Sequence, residues 1–365
     1  MTYRVLLLLF LVGGACTLFA QNRQYNGEIL REFFFERMAS ARAEAMGRAD
    51  VAAGTGILSV FSNPTAIAND SALQIGANLA APLYLLTNAN YTFLGGSYRL
   101  SDRLVAGVSF RQFAIGESDF DILINGVFYP TTKPRTSQAT FTVAATPVKN
   151  LSVGANLNMM VWKYLDDEPR SFLPYLDLGA RYTVETGGGS PGAPDGITFG
   201  LGITNAFFQR IEFGKDTIRS KGALPVIARL GAAYQLHRNI SYPGIGEGAF
   251  DFLVQAEVQD LLNNEFYSAF RLGTEVVLLD AFAFRLGYFT IGVDDFNNPQ
   301  DNLSRVNDIT FGGGLKIPLK KMSKGKIPAS ALLDVTILKQ PPYTVSGPRM
   351  PNFRNFSLTV QWDID

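Results

Sequence analysis

The chain has 365 residues, with 32 Lys plus Arg against 32 Asp plus Glu and a single histidine. Zero net charge excludes the basic field that holds nucleic acid by counterion release, and one histidine excludes a multi-histidine metal centre. Glycine (35), Phe (28) and Tyr (14) are abundant, which favours strands over helices, and the mean hydropathy is too slightly positive for a bundle of membrane helices.

At the N-terminus, Arg4 precedes an unbroken apolar run from Val5 to Val12, followed by Gly13, Gly14 and Ala15. This layout predicts a secretory signal peptide over 1–20, because the run is too short to span a membrane. Gly14-Ala15-Cys16 resembles a lipoprotein cleavage site, but Gly13 stands where Leu is usual. Cleavage after Leu18-Phe19-Ala20 is preferred and leaves Gln21 first. The mature chain then has no cysteine, hence no disulfide and no thiolate chemistry. No later segment has the roughly 18 uncharged apolar residues of a membrane helix.

Residues 21–70 do not alternate. Glu28 to Gly47 predicts a helix ended by Gly47, followed by small residues from Val51 to Gly56 and the pair Asn63-Pro64. Proline lacks an N–H and biases the preceding residue away from helix, so this pair suits a tight buried turn. The segment reads either as a plug (hatch) inside a barrel or as a periplasmic helix with a linker, and the plug is preferred.

Beyond residue 70 the period becomes two. Phe356, Leu358, Val360, Trp362 and Ile364 alternate with Ser357, Thr359, Gln361 and Asp363, the length and period of a transmembrane β-strand. Fourteen such strands are predicted, near 71–81, 89–100, 103–113, 137–147, 151–163, 173–185, 196–205, 224–237, 249–260, 265–278, 281–291, 307–317, 329–339 and 354–364. The predicted fold is an all-β, 14-stranded antiparallel transmembrane barrel over 71–365. Tight turns at Ser101-Asp102, Thr146 to Asn150 and Leu279-Asp280 mark one end, and long connections (114–136, 206–223, 292–306, 340–353) the other. Outer-membrane barrels keep short turns in the periplasm. Arg103, Arg111, Asp177, Arg181, Arg229, Asp251, Glu257, Arg271, Glu275, Arg285 and Lys316 are expected to face the lumen. A basic residue on the lipid side at mid-membrane costs about 2–4 kcal/mol, and their mixed signs suggest a hydrogen-bonded network that holds the plug.

Ala41-Arg42-Ala43-Glu44-Ala45-Met46-Gly47-Arg48-Ala49, then Val51-Ala52-Ala53 and Phe61-Ser62-Asn63-Pro64-Thr65-Ala66, resembles the N-terminal signature of the FadL superfamily of outer-membrane long-chain fatty-acid transporters. The arrangement is especially similar to the PorV- and PorQ-like barrels of the type IX secretion system in Bacteroidota. Thr65 stands where that family has Ala, and Ser62 where the PorV branch often has Trp. The resemblance implies fourteen strands, a plug, and a motif carried here by Arg42, Met46, Gly47, Asn63 and Pro64.

Catalysis is not expected. His237 reads as a rim residue beside Arg238, and no Ser or Asp joins it in a recognisable motif. Gly187-Gly188-Gly189 and Gly312-Gly313-Gly314 lack the Lys-Ser/Thr of a phosphate loop. Asp166-Asp167 and Asp294-Asp295 read as a hard-cation site or as solvated loop charge, and the lysines at 316, 320, 321, 324 and 326 as a contact to lipid phosphates or a partner or as a solvated turn; the solvated reading is preferred for both. No cofactor or metal is expected. The expected partners are outer-membrane lipid and either secretion-system proteins or a hydrophobic small molecule. The main functional reading is a non-enzymatic accessory of protein secretion or surface attachment in the outer membrane of a Gram-negative bacterium. The alternative is an uptake channel for hydrophobic compounds such as long-chain fatty acids.

Overall fold

The computed structural model describes residues 34–70, 72–81, 89–115, 122–124, 127–129, 135–163, 171–189, 195–213, 220–242, 246–262, 268–293, 304–338 and 353–362. The predicted signal peptide with Cys16, and both acidic pairs, lie outside them.

Fourteen strands follow one another around a closed ring: β1 (Leu73–Ala81), β2 (Ala89–Ser101), β3 (Leu104–Ile115), β4 (Arg135–Val148), β5 (Leu151–Lys163), β6 (Ser171–Glu185), β7 (Gly196–Thr204), β8 (Ile227–Tyr242), β9 (Gly246–Leu261), β10 (Ser268–Leu278), β11 (Phe282–Val293), β12 (Ser304–Ile317), β13 (Ala329–Leu338) and β14 (Phe353–Trp362). Every neighbouring pair is antiparallel. The ring closes where β1 meets β14, with Leu73 opposite Trp362 and Leu79 opposite Phe356. Closure leaves no sheet edge, the condition for carrying strands through lipid, where backbone polar groups find no water.

The alternation sets the two faces. On β14, Phe356 and Leu358 are each 44 % exposed while Asn355, Ser357 and Thr359 are buried. The same division puts Leu157 and Met159 outside β5 with Asn156 and Asn158 inside, and Phe284 and Leu286 outside β11 with Arg285 inside. The exposed side is therefore an apolar belt and the enclosed side is polar. This makes the chain a transmembrane β-barrel of the outer-membrane type.

Short connections gather at one end. Asn150, Leu279 and Asp280 take positive φ in their turns, as tight hairpins demand. Two predictions are corrected at this end. Arg103 continues the inward parity of β3 but lies before its first residue, in the turn between β2 and β3, and is exposed. Lys316 pairs with Asp280 at 2.8 Å, and both are well exposed. The long connections at the other end carry two small hairpins, Ile122–Ile124 with Val127–Tyr129 and Arg210–Phe213 with Ser220–Ala223.

Residues 34–70 run inside the ring, almost wholly buried. The long helix predicted over 28–47 is corrected: among the described residues an α-helix, α1, covers only Ala41–Ala45. Ser40 caps it by accepting the Ala43 N–H. Gly47 and Arg48 then both take positive φ, which ends the helix one turn after it starts. Two short 3₁₀ turns follow, Ile57–Ser59 and Pro64–Ile67.

The two faces of β14 give a direct test. Leu358→Arg should block membrane assembly, because the charge would sit in the apolar belt at a cost of about 2–4 kcal/mol. Thr359→Arg should fold better, because it points into a polar lumen. Folding yield into liposomes, followed by heat-modifiable gel mobility, compares the same introduced residue at two adjacent positions of one strand. Equal damage at both would refute the assignment of faces.

Candidate functional site

A backbone segment inside a barrel has the problem of any irregular chain: its N–H and C=O groups need partners. Here the inward side chains of the strands supply them. Glu257 on β9 accepts the N–H groups of Asp50 and Val51 at 2.8 and 2.9 Å. Thr310 on β12 donates to the Ala45 carbonyl and accepts the Gly47 N–H. Gln74 on β1 accepts the Ile57 N–H, and Gln255 on β9 donates to the Ala49 carbonyl. Arg181 on β6 donates to the carbonyls of Asp50, Val51 and Gly54.

Space for that backbone is made by glycines paired across strands. Gly154, Gly179 and Gly202 lie side by side on β5, β6 and β7. A Cβ on them would run into Pro64, Asn63 and the Ser62 carbonyl respectively. Gly273 and Gly287 are opposite each other on β10 and β11, and side chains there would overlap Met46 and Gly47. Gly47 itself has φ 67°, and a Cβ would overlap the backbone of Leu272 and Tyr288. Glycine is thus required there for both space and conformation.

The Asn63-Pro64 turn fills the first of these troughs. Asn63 Nδ2 donates to the carbonyls of Val51, Ala180 and Leu201 at 3.0–3.2 Å. Its Oδ1 accepts both the N–H and the hydroxyl of Thr65, so threonine here adds a bond that alanine lacks. Pro64 opens the 3₁₀ turn, where its missing N–H is not needed.

The lumen charges form separate groups. Arg42 of α1 forks onto the Glu275 carboxylate, with Nε–Oε2 at 2.9 Å and Nη2–Oε1 at 2.8 Å. Arg285, opposite Glu275 in the sheet, bonds Glu275 and also Asp334 on β13. Glu257 is held by Arg271, with Arg229 at 3.9 Å. Arg111 bonds Gln138 and the Phe34 carbonyl, and its guanidinium lies 4.1 Å from the Phe34 ring and 3.8 Å from the Phe61 ring. Asp177 is buried in a cage of neutral donors, Asn156, Asn158 and the Asn205 N–H.

Asp251 lies apart from this network and corrects its expected placement: it is 27 % exposed and takes His237 at 2.7 Å. That pair sits near the short-connection end, because each residue lies in the half of its strand nearest the β8–β9 connection. Next to it, Asp195 accepts the His237 N–H and pairs with Arg238. Those two contacts, the backbone N–H first, hold the Asp195 carboxyl below its usual range. Asp70, at the exit of the inner segment, is pushed up to about 7 by burial, against the Ser97 hydroxyl and Arg99. Among the described residues no three His, Cys, Asp or Glu side chains group as for a metal.

Alternation alone missed a second lumen surface. In the halves of the strands nearer the long connections, the inward face turns apolar: Tyr91 and Phe93 on β2, Phe113 on β3, Met160 and Trp162 on β5, Tyr175 on β6 and Phe289 on β11 are all buried. Phe34 and Phe35 of the inner segment join the same cluster, with rings 6.5 Å from Tyr91 and 5.9 Å from Tyr175. The signal was present in runs apolar on both faces, such as Met159-Met160-Val161-Trp162.

The class is thus a closed, 14-stranded membrane barrel whose lumen is occupied by its own N-terminal chain. Among solved structures, it is similar to the toluene transporter TbuX of Ralstonia pickettii, with TM-score 0.51 and 13% identity over 91% of this chain and 100% of that one. It is also similar to a deltaS2S3 mutant of the monoaromatic hydrocarbon channel TodX, with TM-score 0.56 and 12% identity over 89% and 99%. At these identities the likeness is one of fold. No protein-family model matches the chain, and no curated protein matches its sequence.

Two substitutions probe this packing. Glu275→Ala leaves Arg42 and Arg285 without their shared carboxylate and should lower unfolding free energy by about 3–5 kcal/mol, the usual result of removing one partner of a buried pair. The denaturant midpoint in detergent measures it, and a loss below about 1 kcal/mol would show that the pair contributes little. Gly287→Leu should leave the ring closed but expel Met46-Gly47. Heat-modifiable mobility should persist while a protease gains access to residues 34–70. Unchanged protease protection would refute the trough.

Proposed function

We propose that this barrel is a channel for a hydrophobic small molecule, and that residues 34–70, within a segment running from residue 21, act as its plug. One observation supports the reading: among the described residues, the buried aromatic side chains of the wall gather toward the long connections, the outer end of such barrels. An apolar face with a few polar groups is how small-molecule sites are lined. Arg111, packed between the Phe34 and Phe61 rings, joins that surface to the plug, so a molecule seated there contacts both wall and plug. The fold likeness to a toluene transporter adds monoaromatic hydrocarbons to the compounds worth testing. The chain catalyses nothing in this reading.

A second reading, an accessory of protein secretion or surface attachment, is supported by the similarity of residues 41–66 to PorV- and PorQ-like barrels. A deletion strain separates the two. The channel reading expects slower uptake of toluene or long-chain fatty acids and an unchanged secreted-protein profile. A Phe113→Asp variant that still inserts should reproduce the uptake defect, since a carboxylate in the apolar surface would remain desolvated. Normal uptake with altered secretion would overturn the channel reading in favour of the second.

A further inference from the structure

The connection between β12 and β13 is unlike the other short-end connections. Between Ile317 and Pro328 the chain carries four lysines and no Asp or Glu, in a protein of zero net charge. The segment is folded: a helical turn, α2 (Leu319–Met322), is closed by Met322 N–H to the Pro318 carbonyl and Ser323 N–H to the Leu319 carbonyl. Ser323 Oγ accepts the Ile327 N–H, and Lys324 and Gly325 turn the chain back with positive φ.

Three of these charges, on Lys320, Lys324 and Lys326, have no ion pair among the described residues. Other lysines at this end have partners, Lys149 with Glu185 at 3.1 Å and Lys316 with Asp280 at 2.8 Å. Lys320, Lys324 and Lys326 are exposed. Met322 is 70 % and Ile327 46 % exposed. Both lie just beyond the strand ends, where Leu315 and Leu333 face each other on the apolar belt. Apolar side chains that continue a lipid-facing belt, flanked by unpaired ammonium groups, match the boundary between acyl chains and phosphate headgroups.

We propose that the Pro318–Pro328 turn binds the phosphate headgroups of anionic lipid in the leaflet at the short-connection end. Lys320, Lys324 and Lys326 hold the phosphates, and Met322 and Ile327 enter the acyl boundary. The occupant is lipid because the turn directly joins two strands whose exposed apolar side chains, Leu315 and Leu333, belong to the belt that lipid covers.

The test uses the whole barrel in vesicles of equimolar phosphatidylethanolamine and phosphatidylglycerol, with co-purifying lipids counted by native mass spectrometry. Phosphatidylglycerol should be enriched, with a preference of roughly fivefold for each lysine–headgroup contact. The enrichment should disappear in the K320Q/K324Q/K326Q variant and persist in K149Q. If the triple variant does not fold, salt decides on the unaltered protein: at 1 M, where the screening length is about 3 Å, the preference should vanish. No enrichment in the unaltered barrel, equal enrichment in the triple variant, or enrichment that survives 1 M salt would each overturn the proposal. So would a triple variant that keeps its lipid preference but loses an acidic protein partner, since the patch would then be a protein site.

Discussion

The structure depends on one constraint of size. A backbone in lipid must pair all its polar groups, and a closed ring of strands does so without edges. A ring of fourteen, however, is wider than inward side chains can fill. Something else must occupy the interior, and that occupant brings unpaired peptide groups of its own. Most features of the inner wall answer this second demand: glycine troughs where backbone touches backbone, and glutamate, glutamine, threonine and arginine side chains aimed at specific N–H and C=O groups of residues 41–57.

The lumen charges therefore act as hydrogen-bonding groups as much as ion pairs. Glu257 is shared between Arg271 and two peptide N–H groups, and Arg181 is spent wholly on carbonyls. Such a network gives positional specificity more than net stability, because desolvation offsets most of the attraction between buried charges.

Much of the barrel was legible in the sequence because its signal has a period of two that survives small errors of boundary. The fourteen strands and their lipid faces follow from that. What failed did so for identifiable reasons. Arg103 has the inward parity of β3 but lies in the turn just before that strand. Asp251 and Lys316 alternate correctly but lie near the strand ends, where facing inward no longer means enclosed. Among the described residues, the helix that Ala, Glu and Arg favour locally forms only at Ala41–Ala45, where the chain docks against the wall. The glycines were visible one by one, but their pairing across β5, β6 and β7 depends on register, which a single sequence does not state. Gly47 and Asn63-Pro64 are legible as a helix end and a tight turn; their partners, up to 241 residues further along the chain at Tyr288, appear only in three dimensions.

The inner segment also dictates a timetable. The Ala41 N–H bonds Ser357 on β14, and the Ala41 carbonyl accepts Thr336 on β13, contacts spanning 316 and 295 residues of sequence. A part of the chain synthesised early thus has its docking surface built from nearly the last. Loops of that length must close before these contacts form, which makes such pairings intrinsically slow. The contacts of Ala41 must wait until β13 and β14 arrive, and the joining of β1 to β14 then encloses the segment.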